Sequence, residues 1–444
     1  MRGLKSFALL LVVAVGLGAY VYLVESKRPA DGDAAKKDKV FGVEADSIDE
    51  ITVKAEAGDR TTLKKNGADW HIVQPIAAEP DAAEVSGLVS NLSSVEVQRV
   101  IDENPADLKE FGLADPRVQV TFKSGGKAHT LQLGSKTPTG TDVYARLGDQ
   151  KKVFLVSSFL DSTFNRTTFD LRNKNVLKVD ASKIDRLEVV AGDKTIRLVK
   201  KDGEWQIEQP LAARADFGAV ESLAGKVASA QMKSIAAAEP ADLKAYGLDQ
   251  PAATVRLGTG SSQAALAIGS TSGDGAVFAR DLARPAVFTV EATLLDDLKK
   301  DASEYRQKDL FDVRPFTASR IDVTRHGQSV AFEKTTVKDK DGKDQEKWKQ
   351  VLPAPRDVDT TKVETLISAA TGARAMGFVT ASTKTGLDKP ELTIAIRNAQ
   401  GKEERVAFAR NGADGFAERA GSPGAATVEL AAIDAIVKAL DDIK

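Results

Sequence analysis

The stretch Pro105 to Leu113 reads PADLKEFGL, and Pro240 to Leu248, 135 residues on (240 against 105), reads PADLKAYGL. The same offset carries Trp70 to Trp205, Gln74-Pro75 to Gln209-Pro210, Asp81 to Asp216 and Gly134 to Gly269. Coincidences of this number mean tandem duplication, and self-similarity at a fixed period marks repeated folding units. A looser third copy follows. Trp348, Pro353 and Asp359 stand 143 residues beyond Trp205, Pro210 and Asp216, and Gly386-Leu387 with Pro390 echoes Gly247-Leu248 with Pro251. The repeats are read as residues 41–177, 178–311 and 312–444, the last divergent.

Each of the first two copies opens with three short β-type runs, among them Ile51-Thr52-Val53 and Trp70-His71-Ile72-Val73, or Leu187 to Val190 and Trp205-Gln206-Ile207. Asn66-Gly67 and Asp202-Gly203 between them are hairpin dipeptides. A helix follows, capped by Asp81, Asp216 or Asp359. Its apolar stripe is Val85, Leu88, Val89, Leu92, then Val220, Leu223, Ala224, Val227, then Val363, Leu366, Ile367, Ala370. The i, i+3, i+4, i+7 spacing is one buried helical face. In the PADLK phrase, Pro at a first helical position and Gly just past the end predict a helix from Pro105 to Phe111 stopped by Gly112, with Gly247 the counterpart. Further alternating runs, such as Val118 to Phe122 and His129 to Leu133, complete the unit, followed by a short helix around Phe159 to Phe164. Each unit is then an α+β domain: an antiparallel meander, one main packed helix and short helices.

The joins share a phrase as well. Leu171-Arg172-Asn173-Lys174-Asn175-Val176-Leu177 matches Tyr305-Arg306-Gln307-Lys308-Asp309-Leu310-Phe311, with Arg and Lys two apart and apolar residues at the close. Neither is a Pro/Gly/Ser linker, which predicts docked domains. Trp70, Trp205 and Trp348, fixed in a meander strand, are read as buried anchors. Together with the three Asp caps, Gly112, Gly247, Gly386, Arg172 and Arg306 they form the structural skeleton of the repeats.

Phe7 to Val24 holds eighteen residues without a charge. At ~1.5 Å rise per residue they reach roughly 27 Å, near the ~30 Å of a hydrocarbon core. The run continues through Tyr20 to Val24 past its small residues, unlike a cleaved signal, so residues 1–24 are read as a cytoplasmic tail and transmembrane signal anchor. Residues 25–40 mix both charges with small residues and read as a tether. Lys27, Arg28, Lys36, Lys37 and Lys39 outnumber Arg2 and Lys5, but long domains cross regardless of flanking charge. The body is therefore expected in the periplasm, on a single-pass inner-membrane protein.

Composition limits the chemistry. The 444 residues contain no Cys, which excludes disulfides, thiolate metal sites and cysteine nucleophiles. Lys+Arg of 62 against Asp+Glu of 64 leaves a net charge of −2, with no general field for nucleic acid. His71, His129 and His326 are dispersed and form no ligand motif. Asp339 to Glu346 tempts a calcium reading, yet with Gly342 as sixth loop position the first and twelfth would be Val337 and Trp348, which supply no oxygen ligands. A charged hairpin tip accounts for it. No catalytic, cofactor or metal residues are assigned.

The anchor, the W-x-I-x-x-P blocks Trp70 to Pro75 and Trp205 to Pro210, the two PADLxxxGL phrases and the LRxK join Leu171 to Lys174 together resemble a bacterial family known only as a domain of unknown function, DUF4340. The third copy departs from it, with Gln350 where Ile207 stands and no PADLK. The resemblance implies a membrane-anchored envelope protein found beside gliding-type ABC-transporter components, and it carries over no catalytic residue. The expectation is a non-enzymatic scaffold or adaptor with envelope protein partners. The alternatives are a periplasmic glycan- or peptide-binding module, with the tryptophans as platforms, and, least favoured, a hydrolase using dispersed carboxylates.

Overall fold

The computed structural model describes residues 38–443 except 274, 339, 340, 342 and 381. The expected span at 7–24 and most of the tether lie outside the described residues. Among those residues no helix is long and apolar enough to cross a membrane. The chain divides into two compact units, Met1–Lys174 and Asn175–Lys444.

The first unit is built on one antiparallel sheet. Its strands are β1 (Ile48–Lys54), β2 (Arg60–Asn66), β3 (Asp69–Gln74), β4 (Arg99–Asp102), β5 (Val118–Ser124), β6 (Lys127–Lys136), β7 (Asp142–Leu147) and β8 (Val153–Ser157). They lie in the order β3-β2-β1-β5-β6-β7-β8-β4. Two meanders thus meet where β1 pairs with β5, Thr52 opposite Thr121. Alternate residues of β1 and β5 are buried, because one sheet face is covered and the other meets solvent. The cover is the Ala82–Ser94 helix, whose Val85, Leu88 and Leu92 are at most 2% exposed and join Ile51, Val53 and Phe122 in the core. The edge strand β4, which follows that helix, carries no alternation that would reveal it.

Asn175–Lys444 contains two further sheets of nine strands each, with the same order of connection. The extra strand in each is a two-residue edge piece, Ala213–Arg214 or Arg356–Asp357. In the first sheet a single bridge, Ile72 to Ala78, stands there. The covering helices are Phe217–Ala228 and Thr360–Gly372, and Leu430–Asp441 closes the third copy. Three antiparallel sheets with helices thus match three sequence repeats.

Two details differ from the sequence reading. The PADLK phrase forms only a single 3-10 turn, Lys109–Phe111 or Lys244–Tyr246. The Asp107 carboxylate caps the turn by taking the Lys109 amide at 2.9 Å, as Asp242 takes that of Lys244 at 2.8 Å, and Gly112 N and Gly247 N close back on Lys109 O and Lys244 O, both at 3.0 Å, which ends it after one turn. The turn then ends at Gly112 or Gly247, with φ of 66° or 64°. It lies against the strand behind it so closely that a Cβ on Gly134 would fall 2.1 Å from Phe111 O, and one on Gly269 2.1 Å from Tyr246 O. The third copy carries Ala409 at this register, and a Cβ on its Gly386 would lie 3.1 Å from Arg410 O. No 3-10 turn forms there.

The second difference concerns the joins. Val176 donates to Ala230 O at 3.0 Å, and Arg284 Nη2 donates to Val176 O. Leu310 and Phe311, 5% and 2% exposed, belong to the core around Trp348. The apolar residues that close each join phrase therefore serve the repeat that follows.

Candidate functional site

The three capping carboxylates each hold the first turn of their helix. Asp81 accepts from Ala83 N at 2.9 Å, Asp216 from Ala219 N at 2.8 Å and Asp359 from Thr361 N at 2.9 Å. The cap residues also fix the join strands, since Asp81 N donates to Leu171 O and Asp216 N to Tyr305 O, both at 2.8 Å. Arg172 is bridged there to Pro80, and Arg306 to Ala215.

Arg306 reaches from the second repeat into the third. Its guanidinium carbon lies 3.5 Å from the centroid of the Phe378 ring, and Nη2 donates to Pro423 O at 2.7 Å. At 8% exposure, burial pulls its pKa down. Around it Arg214 pairs with Asp312 and donates to Asp309 O at 2.7 Å, while Arg419 reaches Asp312 at 2.9 Å and Leu310 O at 2.8 Å. Glu404, 4% exposed, takes the Asp312 amide at 2.7 Å. Burial lowers the pKa of Arg214 further than its ion pair with Asp312 restores it, with Arg419 adding repulsion. This charged lock ties the second and third repeats.

On the open face of the second sheet Glu188 takes Arg197 at 2.7 Å and Arg256 at 2.6 Å beside a groove of about 290 Å³. The Arg197 hydrogen bonds come first among the causes that hold its carboxyl below the usual range. The corresponding residues of the first sheet are threonines, Thr52 bonded to Thr62 at 3.1 Å and Thr121 to Thr130 at 3.0 Å. The guanidiniums of the second sheet are already engaged with Glu188.

The tryptophans differ. Trp205 and Trp348 are each 2% exposed, whereas Trp70 is only partly buried and lines a cleft of about 640 Å³. Lys65 lies opposite Trp70 across the hairpin, as Lys200 lies opposite Trp205. In the second repeat Glu221 closes the space, taking Trp205 Nε1 at 2.8 Å and Lys200 Nζ at 2.7 Å, with Phe217 under the same ammonium at 4.9 Å. At those two helix positions the first repeat has Ser86 and Ala82. Part of the cleft corresponds to the space that a carboxylate and a phenyl ring occupy in its sister copy. Sequence reading treated the three tryptophans alike; the helix residues facing them, compared across copies, carried the signal.

The histidines stay apart: His71 is exposed on β3, His129 stacks on Phe122 at 5.1 Å, and His326 takes φ of 50° at a turn. Among the described residues no three His, Asp or Glu side chains are grouped to hold a metal. The charged hairpin of the third copy has strands Gln328–Lys338 and Asp344–Leu352, eleven and nine residues against seven and six in β2 and β3. Part of its tip lies outside the described residues.

No curated protein matches the chain. Among solved structures, a DnaN sliding clamp (DNA polymerase III subunit beta) from Pseudomonas aeruginosa bound to griselimycin aligns over 89% of this chain and 94% of that one, at 8% identity. The TM-score of that alignment is 0.15. The family model described as "Domain of unknown function (DUF4340)" matches residues 70–210 and 205–390, running from the first tryptophan through the second repeat and into the third. The chain belongs to the DUF4340 family.

Proposed function

We propose that this protein is a non-enzymatic, membrane-anchored envelope scaffold or adaptor, held at the bacterial inner membrane by residues 7–24 with its body in the periplasm. Its role is that of an accessory in a gliding-type ABC-transporter assembly. The observation that carries the reading is the use to which the recurring residues are put. Asp81, Asp216 and Asp359 cap helices, Gly112 and Gly247 let a turn lie on a strand, and Arg306 joins two repeats. What duplication preserved is architecture, and a lock between adjacent repeats suits a part that holds partner surfaces at fixed spacing.

Affinity purification of the solubilised full chain tests the role. Transporter subunits should co-purify, and their repeated absence from preparations of stable protein overturns it. Protease treatment of spheroplasts tests the side of the membrane: the body should be cleaved with the membrane intact, and protection places it in the cytoplasm.

A further inference from the structure

The three copies act as internal controls for one another at the tryptophan. In the second, Trp205, Lys200 and Glu221 satisfy each other. In the first, the side chains of Trp70, Lys65 and Ser86 have no hydrogen-bond or ion-pair partner among the described residues, nor have those of Asp46 and Asp69 on the same cleft. Duplicated copies that bury the indole twice and leave it reachable once, with the side chains of Asp46, Asp69, Lys65 and Ser86 unengaged beside it, have changed the use of that space. At about 640 Å³ it lies within the ~300–1,000 Å³ of small-ligand pockets.

Its lining defines the ligand. One wall is an indole, Val85 and Val89 are apolar, and around them stand three carboxylates (Asp46, Asp69 and Glu79), one ammonium, one imidazole, one carboxamide and one hydroxyl. An indole face accepts the C–H face of a saturated ring, and carboxylate and ammonium groups pair with hydroxyls at that ring's edge. Three carboxylates against one ammonium repel an anionic ligand. We propose that this cleft binds an uncharged pyranose-type saccharide, with Trp70 as stacking platform and Asp46, Asp69 and Lys65 as hydroxyl partners. The proposal stands independently of the transporter role.

The test uses the purified full chain in detergent, titrated with maltotriose, cellotriose and the trimer of N-acetylglucosamine, read by tryptophan emission and calorimetry. With Trp205 and Trp348 buried, a change in emission reports Trp70. At least one trisaccharide should give a saturable response. The double variant Ala82→Phe with Ser86→Glu installs the second repeat's own residues and should weaken binding by about tenfold or more with an unchanged melting midpoint. Trp70→Phe should weaken it less than Trp70→Ala. If the double variant does not fold, Ser86→Glu alone carries the comparison. Absence of binding by all three sugars, or binding that survives the filled cleft, overturns the proposal. So does a response confined to trialanine titrated in parallel, which makes the cleft a peptide site.

Discussion

Trp205 Nε1 and Lys200 Nζ both donate to Glu221 Oε1, at 2.8 and 2.7 Å, so one carboxylate seals the second repeat's indole. Burial pushes the Glu221 pKa up, but the Lys200 and Trp205 hydrogen bonds outweigh it and hold the carboxyl below its usual range. A lowered carboxyl pKa adds stability above the unfolded value that is lost as pH falls through the folded one. Glu221→Ser, which copies the first repeat, should cost about 1–3 kcal/mol in urea denaturation. It should also flatten the acid limb of stability and open Trp205 to acrylamide. Unchanged quenching would show that the carboxylate does not seal the ring.

Gly247 combines φ of 64° with a crowded site, since a Cβ there would lie 2.8 Å from Ser270 N. Gly192, with φ of 61°, has nothing within 4 Å. Left-handed backbone costs a side chain roughly 1–2 kcal/mol. Gly192→Ala should lose about that much, and Gly247→Ala clearly more, because the turn must lift from its strand. Equal losses by calorimetry would reduce the effect to backbone strain alone.

Arg306 over Phe378 joins elements of two repeats that share one compact unit. A desolvated cation–π contact is worth ~2 kcal/mol and a charged hydrogen bond ~1.5–3 kcal/mol. Arg306→Ala should therefore destabilise the unit by about 2–4 kcal/mol, and a double-mutant cycle with Phe378→Leu should return a coupling of about 1–2 kcal/mol. Arg306→Lys should rescue poorly, because the planar group that stacks is lost. A coupling near zero would remove the stacking from the account.

Tyr305 donates to Asp297 O at 3.1 Å, and burial, with the negative charges of Asp297 and Glu304, pushes its pKa up to about 12. A raised phenol pKa means stability fully present below the unfolded value of ~10 and lost as pH rises through the folded one. Unfolding followed from pH 9 to 12 should show a loss on the order of 2–3 kcal/mol above pH 10 in the native chain. Tyr305→Phe should remove this term from the alkaline limb. A limb of the same steepness in the variant would assign the alkaline loss elsewhere.

Much of the architecture is legible in the sequence because local rules set it. Asp before a 3.6-period stripe writes the helix starts, Asn66-Gly67 and Asp202-Gly203 write the turns, and the repeated phrases give the number of units. The length of the PADLK helix is not legible, because where the chain leaves the turn is set by Gly112 or Gly247 closing back on it and by the strand carrying Gly134 or Gly269 that it lies against. Edge strand β4 is missed for another reason: four residues, only one of them better than exposed, show no pattern.

By itself the sequence determined that an α+β unit was copied twice, since identical short phrases at one spacing impose the same caps, turns and buried stripes each time. Tertiary structure alone decided which copy of the tryptophan remains reachable. That depends on residues sixteen positions away along the chain, Ser86 against Glu221, whose bearing on the indole arises only when the helix lies across the sheet. The owner of each join was decided the same way. Leu310 and Phe311 close one phrase in sequence, but they escape water only in the core of the repeat that follows.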